Sequence, residues 1–165
     1  MKQKASKPKE TAKEITPAAF RLHRILVPID FSEHSRHALS YALSVAKQFH
    51  SEILLVYVVE TTVYPAEFGF GQVALPSAQI EEEFMQRGKR ELDKLVRSDV
   101  KNQVECRAIV AEGKPAQEIL TLAQKEEVDM IVIATHGHTG VEHLLFGSTT
   151  EKVVRKAPCP VLVVR

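Results

Sequence analysis

With 165 residues, 44% of them hydrophobic, the chain fits one ordinary domain able to bury a single core without metals or disulfides. Twenty-two Lys and Arg stand against 21 Asp and Glu, a formal net charge of +1, so no overall field draws the molecule to nucleic acid or anionic membrane. The two cysteines, Cys106 and Cys159, are too few for a disulfide scaffold and match no paired-ligand spacing, so they read as reduced thiols in or near the core. No stretch approaches the ~18 consecutive apolar residues of a membrane span, and the amino end lacks the apolar segment of a signal peptide. A cytoplasmic location is the expectation.

Residues 1–20 carry five lysines, two prolines and few large apolar groups, which predicts a flexible basic tail ahead of a domain spanning 21–165. From Arg24 onward, short β-rich apolar runs alternate with helical periodicity. The strands are expected at Ile25–Ile29, Ile53–Val59, Val104–Val110, Met130–Ala134 and Val161–Val164. A first helix presents Leu39, Ala42, Leu43, Ala46 and Phe49 on one side, with Ser32 placed as its cap. A second runs from about Ala78 to Ser98 with Ile80, Phe84, Leu92, Leu95 and Val96 inward, and Gly88 in its middle costs about 1 kcal/mol. A third opens at Gly113-Lys114-Pro115, the proline suiting the first turn, with Ala116, Ile119, Leu120 and Ala123 inward. The fourth, about Ser148 to Lys156, begins with Ser148-Thr149-Thr150-Glu151, the order of a capping box. Right-handed crossovers make this alternation a doubly wound, mostly parallel five-stranded sheet with helices on both faces, Rossmann-like, for which the order 3-2-1-4-5 is expected. The segment from Glu60 to Ser77 is a long excursion of the kind that carries function or moves.

In such sheets, ligands bind beyond the carboxyl ends of the strands. Three loops qualify: Pro28-Ile29-Asp30-Phe31-Ser32, Ala111 to Pro115, and Ala134 to Gly140 continuing to Gly147-Ser148-Thr149. The last is the most informative, because glycines let the backbone approach a bulky anion and Gly147-Ser148-Thr149-Thr150 then offers a helix amino end and three hydroxyls suited to a phosphate. The alternative is that Gly137 and Gly140 only make turns and Ser148 only caps its helix.

Other motifs are weaker. Gly69-Phe70-Gly71-Gln72-Val73-Ala74 formally matches a dinucleotide fingerprint, but Pro65 and Pro76 flank it and no strand leads into it. Gly113-Lys114-Pro115 lacks the spacing of a Walker loop. His136, His138 and His143 could gather a metal, yet alternating histidines on a solvated loop are the commoner case. There is no Gly-x-Ser-x-Gly elbow and no loop cysteine with a partnered histidine, so a dedicated hydrolase is not indicated.

Three segments together resemble the universal stress protein family: Val27-Pro28-Ile29-Asp30-Phe31-Ser32, Ala134 to Gly140 with Gly147-Ser148, and Ala157-Pro158-Cys159-Pro160-Val161-Leu162-Val163-Val164. The resemblance runs from about His23 to Arg165. The ATP-binding branch of that family carries Gly, two residues, Gly, nine residues, Gly and then Ser or Thr. Here Gly137 is the second glycine, His138 to Phe146 are the nine residues, and Gly147-Ser148 closes the pattern, while Ala134 replaces the first glycine. The resemblance implies ATP, with Mg²⁺, as cofactor. Pro28, Ile29 and Asp30 would then lie beside the nucleotide, Val58 and Ile133 would line the adenine pocket, Ala134, Gly137 and Gly140 would form the loop, and Gly147, Ser148, Thr149 and Thr150 would meet the phosphates. It further implies a homodimer through Val161, Leu162, Val163 and Val164, whose place at a sheet edge exposes unpaired backbone groups. The expected function is an ATP-binding regulatory or stress-response module. A slow ATPase or phosphate-transferring enzyme, or an interaction dimer without nucleotide, are the alternatives.

Overall fold

The computed structural model describes residues 21–60, 77–137 and 146–165. Five parallel strands form one sheet in the expected order, β3-β2-β1-β4-β5. They are β1 (Arg24–Pro28), β2 (Glu52–Val59), β3 (Cys106–Glu112), β4 (Met130–Ala134) and β5 (Val161–Val164). The helices are α1 (Glu33–Phe49), α2 (Ser77–Leu95), α3 (Pro115–Lys125) and α4 (Ser148–Lys156).

The period-two geometry of a strand divides the apolar runs between two cores. Ile25 and Val27 of β1, Ile53 and Leu55 of β2 and Val132 of β4 face Ala38, Leu39, Ala42 and Ala46 of α1 and Leu92 and Leu95 of α2. Leu26, Leu54, Val56, Ile131 and Ile133 face Ala116, Ile119, Leu122 and Ala123 of α3 and Val153 of α4. Each central strand is therefore apolar on both sides, which is why β1 and β4 read as continuous hydrophobic runs rather than alternating ones. Both cysteines are free and half-buried, Cys106 against the first core and Cys159 against the second.

Ser32 caps α1 as its position predicts, its hydroxyl accepting from the Ser35 amide at 3.2 Å. Pro115 opens α3. Several expectations shift. β3 lies two residues further along than Val104–Val110, because β2 pairs along Ile53–Val59 with Cys106–Glu112 and so sets its length. Phe49 and Phe84, expected inward, are 45% and 52% exposed. Phe49 ends α1 beyond the sheet, and α2 packs through Gly88, Leu92 and Leu95 instead. A Cβ on Gly88 would stand 2.6 Å from Cδ1 of Tyr57, so this glycine admits the tyrosine ring beneath the helix. After Leu95 the chain makes one π turn, Val96–Val100, and leaves it through Lys101 and Asn102 in the left-handed region.

At the amino ends of the strands, Arg107 bridges Glu52 at 2.5 Å and Glu126 at 2.8 Å, and Arg24 donates to the Glu126 carbonyl at 2.6 Å. Among the described residues no helix is long and apolar enough to cross a membrane. The tail at 1–20 and the excursion carrying Gly69 to Ala74 lie outside the described residues.

Candidate functional site

A cavity of about 360 Å³ opens at the carboxyl ends of β1, β2 and β4, where the strand order reverses between β1 and β4. Its walls come from the loop after β1, the end of β2, the first turn of α3, the end of β4 and the amino end of α4. Pro28, Ile29, Asp30, Val58, Ile133, Ala134, Gly137, Gly147, Ser148, Thr149 and Thr150 all line it. Gly140 lies outside the described residues, as do His138 and His143, and no metal-binding cluster occurs among the described ones.

The loop after β1 is built around a turned-back carboxylate. Oδ1 of Asp30 accepts from the Ser32 amide at 3.0 Å and from the Ser32 hydroxyl at 2.6 Å. Between them Phe31 sits at φ 67°, an unusual value for a residue with a bulky side chain, and its ring is held against Tyr57 at a centroid distance of 4.8 Å. A Cβ on Gly137 would collide with Oδ2 of Asp30, so glycine is needed there to let the two loops meet.

On the other side, α4 begins at Ser148, as expected. The expected capping box does not form: Gly147 is the N-cap, no side chain caps it, and Ser148 is the first helical residue. The hydroxyl of Thr150 turns inward and donates to the Ala134 carbonyl at 2.8 Å, while the Gly147 amide donates to the Thr135 carbonyl at 2.8 Å. These bonds hold the helix amino end against the end of β4. Gly147 has φ −67° and ψ 157°, open to any residue, and among the described residues an added Cβ would meet nothing nearer than the Thr135 carbonyl at 3.5 Å. Neither the backbone conformation nor packing among the described residues calls for a glycine here. Ala134 replaces a glycine of the family pattern at little cost to the fold, since its side chain is buried with Val132 in the α1 core.

A model of the universal stress protein family matches residues 21–165. The chain belongs to the universal stress protein family. Universal stress protein MJ0531 of Methanocaldococcus jannaschii is 37% identical over 145 residues, covering 86% of this chain and 81% of its own. The solved universal stress protein UspA from Lactobacillus plantarum superposes with a TM-score of 0.74 at 26% identity, covering 89% of this chain and all of its own. More distant members share the fold: one in complex with cAMP (TM-score 0.59, 19% identity, 88% of this chain and 98% of its own) and one from Archaeoglobus fulgidus in complex with dAMP (0.57, 17%, 87% and 98%).

Within the family fold Pro115 and His136, from two of the expected ligand loops, also line the cavity, and it has further walls that the motifs did not single out: Ser35, Val56, Tyr57, Glu60 and Ile119. Val56, Tyr57 and Glu60 stand at the carboxyl end of β2, where the rule for ligand sites in parallel sheets points. No motif marks them, because their contribution is a surface made by topology.

Proposed function

We propose that this universal stress protein is a regulatory ATP-binding module. The observation that carries the reading is Gly147. It opens α4 without a side-chain cap, in a conformation that does not require glycine, and faces the cavity beside Ser148 and Thr149. A helix amino end left open in this way suits a phosphate. Val58 and Ile133 supply apolar walls for a base, and Gly140 would complete the phosphate loop. A cavity of this volume is in the usual range for small-ligand sites. An ionised carboxylate meets phosphate only through a cation, so Asp30 would take either a sugar hydroxyl or the Mg²⁺ that travels with ATP. Family members in complex with cAMP and dAMP support a nucleotide over other anions. The described walls present groups that hold and orient, with no evident base over a γ-phosphate, which favours a binding module over a slow ATPase.

The module would act as a homodimer in the cytoplasm. β5 is the sheet edge beyond β4, Leu162 is 36% exposed, and an antiparallel pairing of Val161–Val164 across a two-fold axis would satisfy the open edge. Sedimentation of the wild type should give twice the 18.5 kDa chain mass, and Val163→Lys should shift it toward monomer.

The nucleotide reading is tested by mass spectrometry of ligand released from freshly purified protein and by calorimetry with Mg·ATP. ATP should raise the melting temperature more than GTP does, and should persist over hours of incubation. Neither heat nor a melting shift at millimolar ATP would overturn it, and steady release of phosphate would make the protein an ATPase instead.

A further inference from the structure

We propose that Ser32 is a positioning residue for the nucleotide site, holding Asp30 through its hydroxyl in addition to capping α1. The inference rests on the nucleotide reading above and names a residue outside the cavity wall. Ser32 is 7% exposed, so its hydroxyl has few partners to choose from. It has two: Oγ accepts from the Ser35 amide at 3.2 Å and donates to Oδ1 of Asp30 at 2.6 Å, while the Ser32 amide donates to the same oxygen at 3.0 Å.

The cap alone does not explain a hydroxyl. Capping uses only an acceptor lone pair, and Asp or Asn serve it as well as Ser does. Aspartate, with no proton to give, would set a second carboxylate against Asp30. A hydroxyl caps the helix with one lone pair and spends its single proton on the carboxylate, a short charge-assisted bond. With Oδ1 occupied twice, the carboxylate has one orientation, Oδ2 toward Gly137 and the cavity. The intervening Phe31 makes the turn-back possible by its φ of 67°, and its contact with Tyr57 holds that conformation in place. The carboxylate is thus oriented before any ligand arrives, which lowers the ordering cost of binding.

The test is a double-mutant cycle between Ser32 and Asp30, read by calorimetric affinity for Mg·ATP and by melting temperature of the free protein. Ser32→Ala removes both bonds of the hydroxyl, and Ser32→Gly removes them while costing the helix little, since glycine is itself an acceptable N-cap. Both should weaken Mg·ATP about tenfold, the worth of one hydrogen bond to a charged group. Ser32→Thr, which keeps acceptor and donor, should restore wild-type affinity. In an Asp30→Ala background, Ser32→Gly should change affinity less than about twofold, because the carboxylate it acts through is gone, and the fall in melting temperature should be smaller there too, since only the cap is lost and not the bond to Asp30. An equal affinity loss in both backgrounds, or Ser32→Gly binding as wild type does, would overturn the positioning role and leave the nucleotide reading standing. A wild type that binds no Mg·ATP would overturn both.

Discussion

Gly147→Asp should move stability and ligand affinity in opposite directions. The backbone there, φ −67° and ψ 157°, is that of an ordinary N-cap, and an added Cβ would approach the Thr135 carbonyl only to 3.5 Å, a van der Waals contact. α4 has no side-chain cap, and aspartate is among the best N-cap residues, better than glycine by a few tenths of a kcal/mol. Adding its favourable position at the positive end of the helix dipole, the free protein should gain about 0.5 kcal/mol, or roughly 1–2 °C in melting temperature for a domain of this size. The same carboxylate occupies the amides a phosphate needs and repels it. Two unit charges about 4 Å apart near a protein surface cost ~4 kcal/mol, so even with Mg²⁺ screening the phosphates ATP should bind at least about a hundredfold more weakly. Gly147→Asn caps without charge, and should lose less affinity for a similar thermal gain. Thermal melts of the free proteins and calorimetric titration with Mg·ATP check both arms. Unchanged ATP affinity would place the phosphates elsewhere, and a fall of several degrees in the free protein would refute the reading that Gly147 is free of structural constraint.

Gly88→Ala should destabilise the protein by about 1–3 kcal/mol in urea unfolding, against the ~1 kcal/mol gain that helix propensity promises, because the new methyl would stand 2.6 Å from the Tyr57 ring. Thr150→Val should cost about 1–3 kcal/mol by leaving the buried Ala134 carbonyl without its 2.8 Å donor, measurable in the same assay. Burial first, and the nearby Glu52 carboxylate second, push the Cys106 thiol up to about 11, so a thiol reagent at pH 8 should label it slowly in the folded protein and rapidly in urea. The hydrogen bond from Arg107 holds the Glu126 carboxyl below its usual range. Stability from this pair is therefore present at neutral pH and lost as pH falls through the lowered folded value. Arg107→Ala should lower stability by about 1 kcal/mol at pH 7, the Arg107 side chain being 47% exposed and screened by water, and should reduce the loss seen on acidification.

Much of the architecture was legible in the chain because it depends on local rules. Apolar runs at Met130–Ala134 and Val161–Val164 match β4 and β5 to the residue, and for β4 the reason is that a strand buried on both faces needs an unbroken apolar run. Ser32 and Pro115 marked the starts of α1 and α3 because capping and proline geometry act within one turn. The doubly wound parallel sheet followed from the strand–helix alternation and the handedness of the crossovers, and the glycine pattern drew attention to the loop that, through Gly137, Gly147 and Ser148, lines the cavity. What tertiary structure alone decided are matters of contact between distant segments. The ends of β3 are set by the length of β2, not by its own apolar residues. Ser148-Thr149-Thr150-Glu151 spells a capping box, yet Gly147 takes the N-cap position, with its amide bound to Thr135 and the Thr150 hydroxyl turned to Ala134. Gly137 and Gly147 look alike in sequence but differ in cause: Gly137 is required by Asp30 more than a hundred residues away, and among the described residues nothing crowds Gly147. Local sequence carries propensity and pattern, but which atom fills the space over a Cα is settled only when the sheet brings β1, β2 and β4 side by side.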